Sequence, residues 1–410
     1  MTKQENRLNR DSGIELLRIF LMILITLHHF SLYSGIKDIS KTTYYLCEWG
    51  GKIGVELFLI ISGYFMVKSK FKIRKIIILW CQIFFYSTIL LLIELCINKP
   101  NNISRLDMIG YLIPINSLKY GFITKYIYVY ILSPFIIKVI KALNNKELRN
   151  FIIVCCIMYI LSNNLIIGSK IEYFENTFGY IFFFIIGCYL RMYGSRIFEK
   201  NIIKNISISV LIVISYIGIR ILIEKLNIQS NVINDFIYRF VNLGVNSVFT
   251  LYISISLFYC FLNIKVKSKL INYIASCSLS VYLIQEHPIF RNIIWKNIFN
   301  IYSANRNNFF ELMQSNTNII NKISASMCSI ISMCIHINSS KLFIIYALGC
   351  TIIIFMFAIL VDSIRKMTIE KILKRIIKIK KIEKILNFID DWMNELDVEH
   401  NEKTNELSKI

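Results

Sequence analysis

Runs of about twenty mostly apolar residues recur along this chain, and that recurrence restricts its fold more than any other feature. Each run is long enough to cross ~30 Å of hydrocarbon as a helix. In lipid, every backbone N–H and C=O must find a partner within the chain, which leaves helices or closed barrels. The runs lack the alternating, turn-punctuated pattern of a barrel. The sequence therefore predicts an all-α, polytopic helical membrane protein with about ten transmembrane helices. They fall at 14–33, 45–67, 76–97, 122–141, 151–168, 178–193, 203–223, 241–262, 270–286 and 342–362. Composition agrees: 55% of the 410 residues are hydrophobic and only 18% are charged, less charge than a soluble chain of this size carries.

The net charge of +21 raises the question of nucleic acid. The positions of the cations answer it. Lys3, Arg7 and Arg10 precede the first run, and Lys68, Lys70, Lys72, Arg74 and Lys75 follow the second. Lys138 and Lys141 follow the fourth, Arg191 and Arg196 the sixth, Lys265, Lys267 and Lys269 the eighth, Arg365 and Lys366 the tenth. Every second junction is basic, as the positive-inside bias requires, so both termini are expected in the cytoplasm. No basic motif of a nucleic-acid reader accompanies these residues, and no nucleic-acid partner is expected. The predicted organisation is a cytoplasmic segment 1–13, a transmembrane domain 14–363 and a cytoplasmic tail 364–410. Within the tail, 365–388 reads as a basic amphipathic helix lying on the anionic leaflet, and 390–407 as a frayed acidic end. The longest outer loop, about 287–341, holds a moderately apolar stretch at 324–337, expected outside the membrane or at its interface.

The eleven cysteines include no CxxC and mostly sit in apolar runs. They read as small buried hydrophobes, and neither a disulfide framework nor a metal site is expected. The polar start MTKQENRLNRDSG leads straight into a span with no small-residue cleavage site, so no cleavable signal peptide is expected.

Two residues in the first run are costly. A cation at the centre of a membrane helix costs about 2.5–3.5 kcal/mol, yet Arg18 and His29 both lie in IELLRIFLMILITLHHFSL. Eleven residues at about 100° each return to within ~20° of the same face, about 16 Å further along the axis. Glu15, Arg18, Met22, Thr26 and His29 trace that face, while His28 points roughly 80–100° away. Glu15 and Arg18 form, on the simplest reading, an ion pair at the helix entrance, and His29 an imidazole bonded to a carbonyl. A cation near one surface and a titratable ring deep in the bilayer also suggest a reaction path. The second run, GVELFLIISGYF (54–65), carries Glu56 at a depth comparable to His29, with Ser62 near its other end and Gly54 and Gly63 for close helix contact. The cluster KSKFKIRK (68–75) follows. Positive-inside bias explains it, and its cations would also suit a phosphate-rich ligand.

Arg18-x10-His29, GVELFLIISGYF and the Lys/Arg cluster together look like the opening signature of the integral-membrane acyltransferase-3 family. KYGFITKYIYVYILSPFIIK (119–138) resembles the family's fourth-span region, and SLSVYLIQEHPIFRNIIWK (278–296) its late tyrosine-leucine-isoleucine-histidine stretch. The resemblance covers about residues 10–365. It implies transfer of an acyl group, usually acetyl from acetyl-CoA, to a hydroxyl of a cell-envelope glycan. It implies that His29 is the catalytic histidine and Arg18 the family arginine, with Glu15 in place of the usual aspartate. Lys72, Arg74 and Lys75 correspond loosely to a basic pair associated with acyl-CoA. Ser62, Tyr282, Glu286 and His287 are possible supporting residues. The chain departs from the pattern: Lys72 and Lys75 stand at the spacing of an arginine-x-x-arginine pair, the proline often found just after is absent, no fused esterase-like domain is expected, and Gln285 stands where the late histidine is usual, followed by Glu286 and His287.

The expected function is a membrane O-acyltransferase. Acyl-CoA is expected as a donor substrate, with no tightly bound cofactor. A neutral His29 would take the proton of an attacking hydroxyl or be transiently acylated, and Glu56 or another carboxylate would orient the ring. The expected surroundings are a bacterial cytoplasmic membrane and an envelope or lipid-linked glycan acceptor. Two rivals remain. A transporter or flippase of a lipid-linked sugar would use Glu94, Lys125, Arg220 and Glu224 along a path, but the halves do not repeat. A glycan polymerase would be expected to carry more charge in the outer loop, which holds only Arg291, Lys296, Arg306, Glu311 and Lys322.

Overall fold

The computed structural model describes residues 12–98, 105–115, 117, 119–164, 177–227, 243, 247–299 and 340–395, and among them every regular element is a helix. The main ones are α1 (Gly13–Tyr33), α2 (Lys41–Glu48), α3 (Gly50–Met66), α4 (Ile73–Asn98), α5 (Arg105–Leu112), α6 (Gly121–Ala142) and α7 (Asn145–Asn164). They continue with α8 (Thr177–Tyr193), α9 (Ile202–Lys225), α10 (Val248–Leu262), α11 (Lys269–Gln285), α12 (Ser340–Arg365), α13 (Lys371–Ile377) and α14 (Lys380–Glu395). Five helical stretches are long and apolar enough to cross a membrane: Gly13–Tyr33, Ile73–Cys96, Gly121–Ala142, Ile202–Lys225 and Phe343–Ile377. The other expected spans fall on helices α3, α7, α8, α10 and α11. The run expected at 45–67 breaks at Trp49 into α2 and α3. The stretch 324–337 lies outside the described residues, and 390–395 is helix continuous with 380–389.

α1 is the hub, packed against α2, α3, α10, α11 and α12. One buried cluster joins its Met22, Ile25 and Phe30 to Tyr120, Val281 and Trp295; a second joins Leu17 and Leu21 to Ile53, Ile60 and Phe182. α3 and α8 cross with their backbones touching. A Cβ at Gly63 would lie 1.9 Å from the Phe184 carbonyl oxygen, and one at Gly187 2.1 Å from that of Ile60. Only glycines permit this approach, the small-residue device of membrane helix pairs.

Several polar groups inside the bundle are satisfied by neighbours, as an apolar surround demands. Pro134 cannot donate to the Tyr130 carbonyl, and Ser133 Oγ does so instead at 2.7 Å. Asp362 of α12 is fully buried. It accepts from Gln82 Nε2 at 3.3 Å, Tyr86 Oη at 3.1 Å and Arg365 Nε at 2.7 Å, and Lys366 lies 3.0 Å away. Outside, α9 exposes Ile203, Leu211, Ile214 and Leu222, a surface suited to lipid.

The last described helix, α14, packs on protein. α14 crosses the start of α4, where Asp390 Oδ1 accepts the Ile73 N–H at 2.6 Å and Asn394 Oδ1 that of Phe71 at 2.9 Å. Asn394 Nδ2 donates back to the Phe71 carbonyl at 3.1 Å, and Met393 packs with Phe71 and Tyr130. Asp390 thus satisfies a donor that the first turn of α4 leaves open, and Asn394 holds the residue just before the helix. The expected leaflet helix thus also docks on protein, with Phe388 and Trp392 facing outward.

Candidate active site

Helices α1, α3, α4, α6 and α11, with Tyr180 of α8, line a cavity of about 840 Å³, within the range of small-molecule sites. α3 runs antiparallel to α1, so the start of α1 meets the end of α3 at one end of the cavity. There it is lined by Arg18, Ser69 and Lys75. At the other end it is lined by His28, His29, Lys52 and Glu286. Ser62, Tyr126 and Tyr282 lie along the length between them. The two ends are about 16 Å apart by the rise of α1.

At the first end Arg18 Nη1 bonds Glu15 Oε1 at 2.7 Å. Glu15 is buried behind it, and Arg18 faces the cavity with about a quarter of its side chain exposed. The ion pair and the cavity lining are therefore one arrangement, not alternatives. Lys75, on the first turn of α4, lines the same end. Its neighbours do not. Lys72 is exposed, with its carbonyl accepting from Tyr130 Oη at 3.4 Å. Arg74 Nη2 turns to α14, donating to Asn387 Oδ1 at 2.6 Å and Glu383 Oε1 at 3.3 Å. Of the three expected acyl-CoA cations in this cluster, only Lys75 faces the cavity.

The second end is set by α1 and α11 together. Thr26 Oγ1 donates to the Met22 carbonyl at 2.8 Å and accepts from Gln285 Nε2 at 3.2 Å. That bond registers α11 against α1 and sets the next residue, Glu286, beside His29, with Oε1 3.3 Å from Nε2. Arg291 approaches Glu286 at 3.6 Å and donates to Tyr33 Oη at 3.1 Å. Tyr33 in turn packs on the His29 ring, with centroids 5.8 Å apart. His29 Nδ1 is buried and without a hydrogen-bond partner. A buried ring nitrogen without a hydrogen-bond partner can accept a proton, and Glu286 Oε1 lies near the other nitrogen without a hydrogen bond of its own.

Glu56 lies elsewhere. It is buried, accepts from Tyr159 Oη at 2.9 Å and Ser254 Oγ at 3.1 Å, and does not line the cavity. Its depth was legible in the sequence. Its direction depends on how α3 packs against α7 and α10, and Glu286 occupies the place beside His29. His287 also faces away from the cavity. Its Nδ1 accepts from the Phe290 N–H at 3.2 Å, its Nε2 meets the Ser87 carbonyl at 3.2 Å, and its ring stacks on Tyr111. Burial lowers its pKa to about 4, so it stays neutral. Ser62 donates to the Phe58 carbonyl at 2.8 Å and meets Tyr126 Oη at 3.3 Å.

Several lining residues were not singled out from sequence, among them His28 and Lys52. His28 lines the cavity although helical phase sets it apart from His29, because the cavity is wide enough to touch both faces. Lys52 sits one turn into α3, and a lysine at the outer end of an apolar run was the available signal. Among the described residues no group of three or more His, Cys, Asp or Glu is placed to hold a metal ion.

The model of one protein family, described as an acyltransferase domain, matches residues 11–361. No curated protein and no solved structure matches the chain.

Proposed function

The chain belongs to the acyltransferase-3 family and is a membrane acyltransferase, and on that premise we propose that it moves an acyl group, most simply acetyl, from acyl-CoA to a hydroxyl of an envelope or lipid-linked glycan. The observation that carries this reading is the polarity of the cavity: cations at one end, a carboxylate-contacted imidazole at the other. With both termini in the cytoplasm of a bacterial cell, the Arg18–Lys75 end faces the cytoplasm. Arg18 and Lys75 meet the CoA phosphates there. The pantetheine arm runs past Ser62, Tyr126 and Tyr282, which brings the thioester to His29.

The contact with Glu286 favours the proton of His29 on Nε2, which leaves the lone pair on Nδ1. Nδ1 accepts the proton of the acceptor hydroxyl as its oxygen attacks the thioester carbonyl. The C–S bond breaks, and the departing CoA sulfur takes the proton from the imidazolium. The products are an O-acyl ester and free CoA, and His29 returns to its starting state. Glu286 stabilises the transient imidazolium. The apolar walls exclude water and limit thioester hydrolysis.

The test compares the envelope glycan of a deletion strain with its parent by NMR. An O-acyl signal should be missing and should return with the wild-type gene. His29→Ala, present in membranes at matched level, should restore less than about one hundredth of the transfer rate. An unchanged glycan in the deletion strain, or full restoration by His29→Ala, overturns the proposal.

A further inference from the structure

The second histidine of the pair is held as firmly as the first and has no part in the mechanism above. Its Nδ1 lies 2.6 Å from the backbone carbonyl of Glu48. A carbonyl oxygen only accepts, so Nδ1 carries the proton, and in the neutral ring Nε2 is a lone-pair acceptor. The ring is pinned against the start of α3: a Cβ on Gly51 would lie 2.3 Å from His28 Cγ and 2.4 Å from Cδ2. No protein group among the described residues bonds Nε2, and the side chain lines the cavity. The His28 and His29 ring centroids are 6.0 Å apart. The same wall carries Lys52, whose ammonium donates but cannot accept.

We propose that His28 is an acceptor-binding residue: its Nε2 accepts a hydrogen bond from a second hydroxyl of the polyol whose first hydroxyl gives its proton to His29. This rests on the acyl-transfer reading. Two imidazole nitrogens without hydrogen-bond partners on adjacent residues, that of His29 shielded from solvent, suit an acceptor with neighbouring hydroxyls, each ~2.8 Å from its nitrogen. A sugar offers that pair and a simple alcohol does not. Lys52 supplies a donor for an oxygen of the same ring. The Glu48 carbonyl fixes which nitrogen His28 presents, so the contact is preorganised.

Two substitutions separate this role from a structural one. His28→Asn places an amide N–H near Nδ1 and keeps the bond to Glu48, but removes the acceptor at Nε2. His28→Gln places its carbonyl oxygen near the position of Nε2. Each is expressed in the deletion strain at matched membrane level and matched melting temperature. The ester released from the envelope glycan by mild base is measured against wild type and His29→Ala. Losing one such hydrogen bond should lower transfer about tenfold. The expected result is that loss for His28→Asn and recovery to within about threefold for His28→Gln. Wild-type transfer by His28→Asn, or equal losses in both variants, overturns the proposal while leaving the acyl-transfer reading in place. If wild type releases no more ester than the deletion strain, the acyl-transfer reading fails and this one with it.

Discussion

A carboxylate is read from sequence by its depth in a helix but acts according to its direction. Glu56 and Glu286 divide on this point. Glu56 ties α3 to α7 and α10 through two hydroxyl donors, whereas Glu286 touches His29 and Arg291. Glu286→Gln should lower the turnover number by about ten- to hundredfold, since it weakens the support of the imidazolium. Glu56→Gln keeps an acceptor for Tyr159 and should leave turnover within about twofold, while Glu56→Leu should lower the melting temperature through two unmet hydroxyls. Steady-state rates and thermal melts of purified protein check both. A Glu56→Gln loss as large as that of His29→Ala would reverse the assignment. Arg18, His29, Ser62, Lys75, Tyr282 and Glu286 were all nameable from the chain and line one cavity. The bond from His28 to the Glu48 carbonyl was not, because a backbone acceptor leaves no mark in a side-chain pattern.

Among the elements, α14 shows where amphipathic patterning runs out. Alternating Lys and Ile with an apolar stripe read the same whether the stripe meets lipid or protein. The deciding residues are the polar ones, Asp390 and Asn394, which cap the entry to α4. Lys75 sits on that first turn and lines the cavity, so under the proposed function these contacts position a cation of the acyl-CoA end. Asp390→Ala with Asn394→Ala should cost about 1 kcal/mol per lost cap and raise the KM for acetyl-CoA several-fold, with a smaller change in kcat. An unchanged KM would detach α14 from the donor end. Spans, by contrast, were legible as positions: apolar length alone located α1, α4, α6, α9 and α12. The break at Trp49 was missed although Glu48, Gly50, Gly51 and Lys52 interrupt the apolar run around it.

For the whole molecule, the alternation of basic junctions makes a topological prediction. A periplasmic phosphatase reporter fused after Lys37 should be active and one fused after Lys70 inactive, and a cytoplasmic fluorescent reporter at the C-terminus should fluoresce. The opposite pattern would turn the cavity around and put the proposed acyl-CoA end in the wrong compartment. The family and the membrane class followed from hydropathy and from the first two helices. The cavity did not, because its walls come from helices far apart in the chain, brought together by contacts such as those of α11 with α1 and α4 and of α3 with α6.

The docking of α14 on Phe71, Ile73 and Arg74 also has a consequence in time. Residues 380–395 are made after every apolar helix described here. The start of α4 therefore waits for its caps until synthesis is nearly complete, and a chain stopped short of Lys380 keeps the membrane bundle but not the finished entrance.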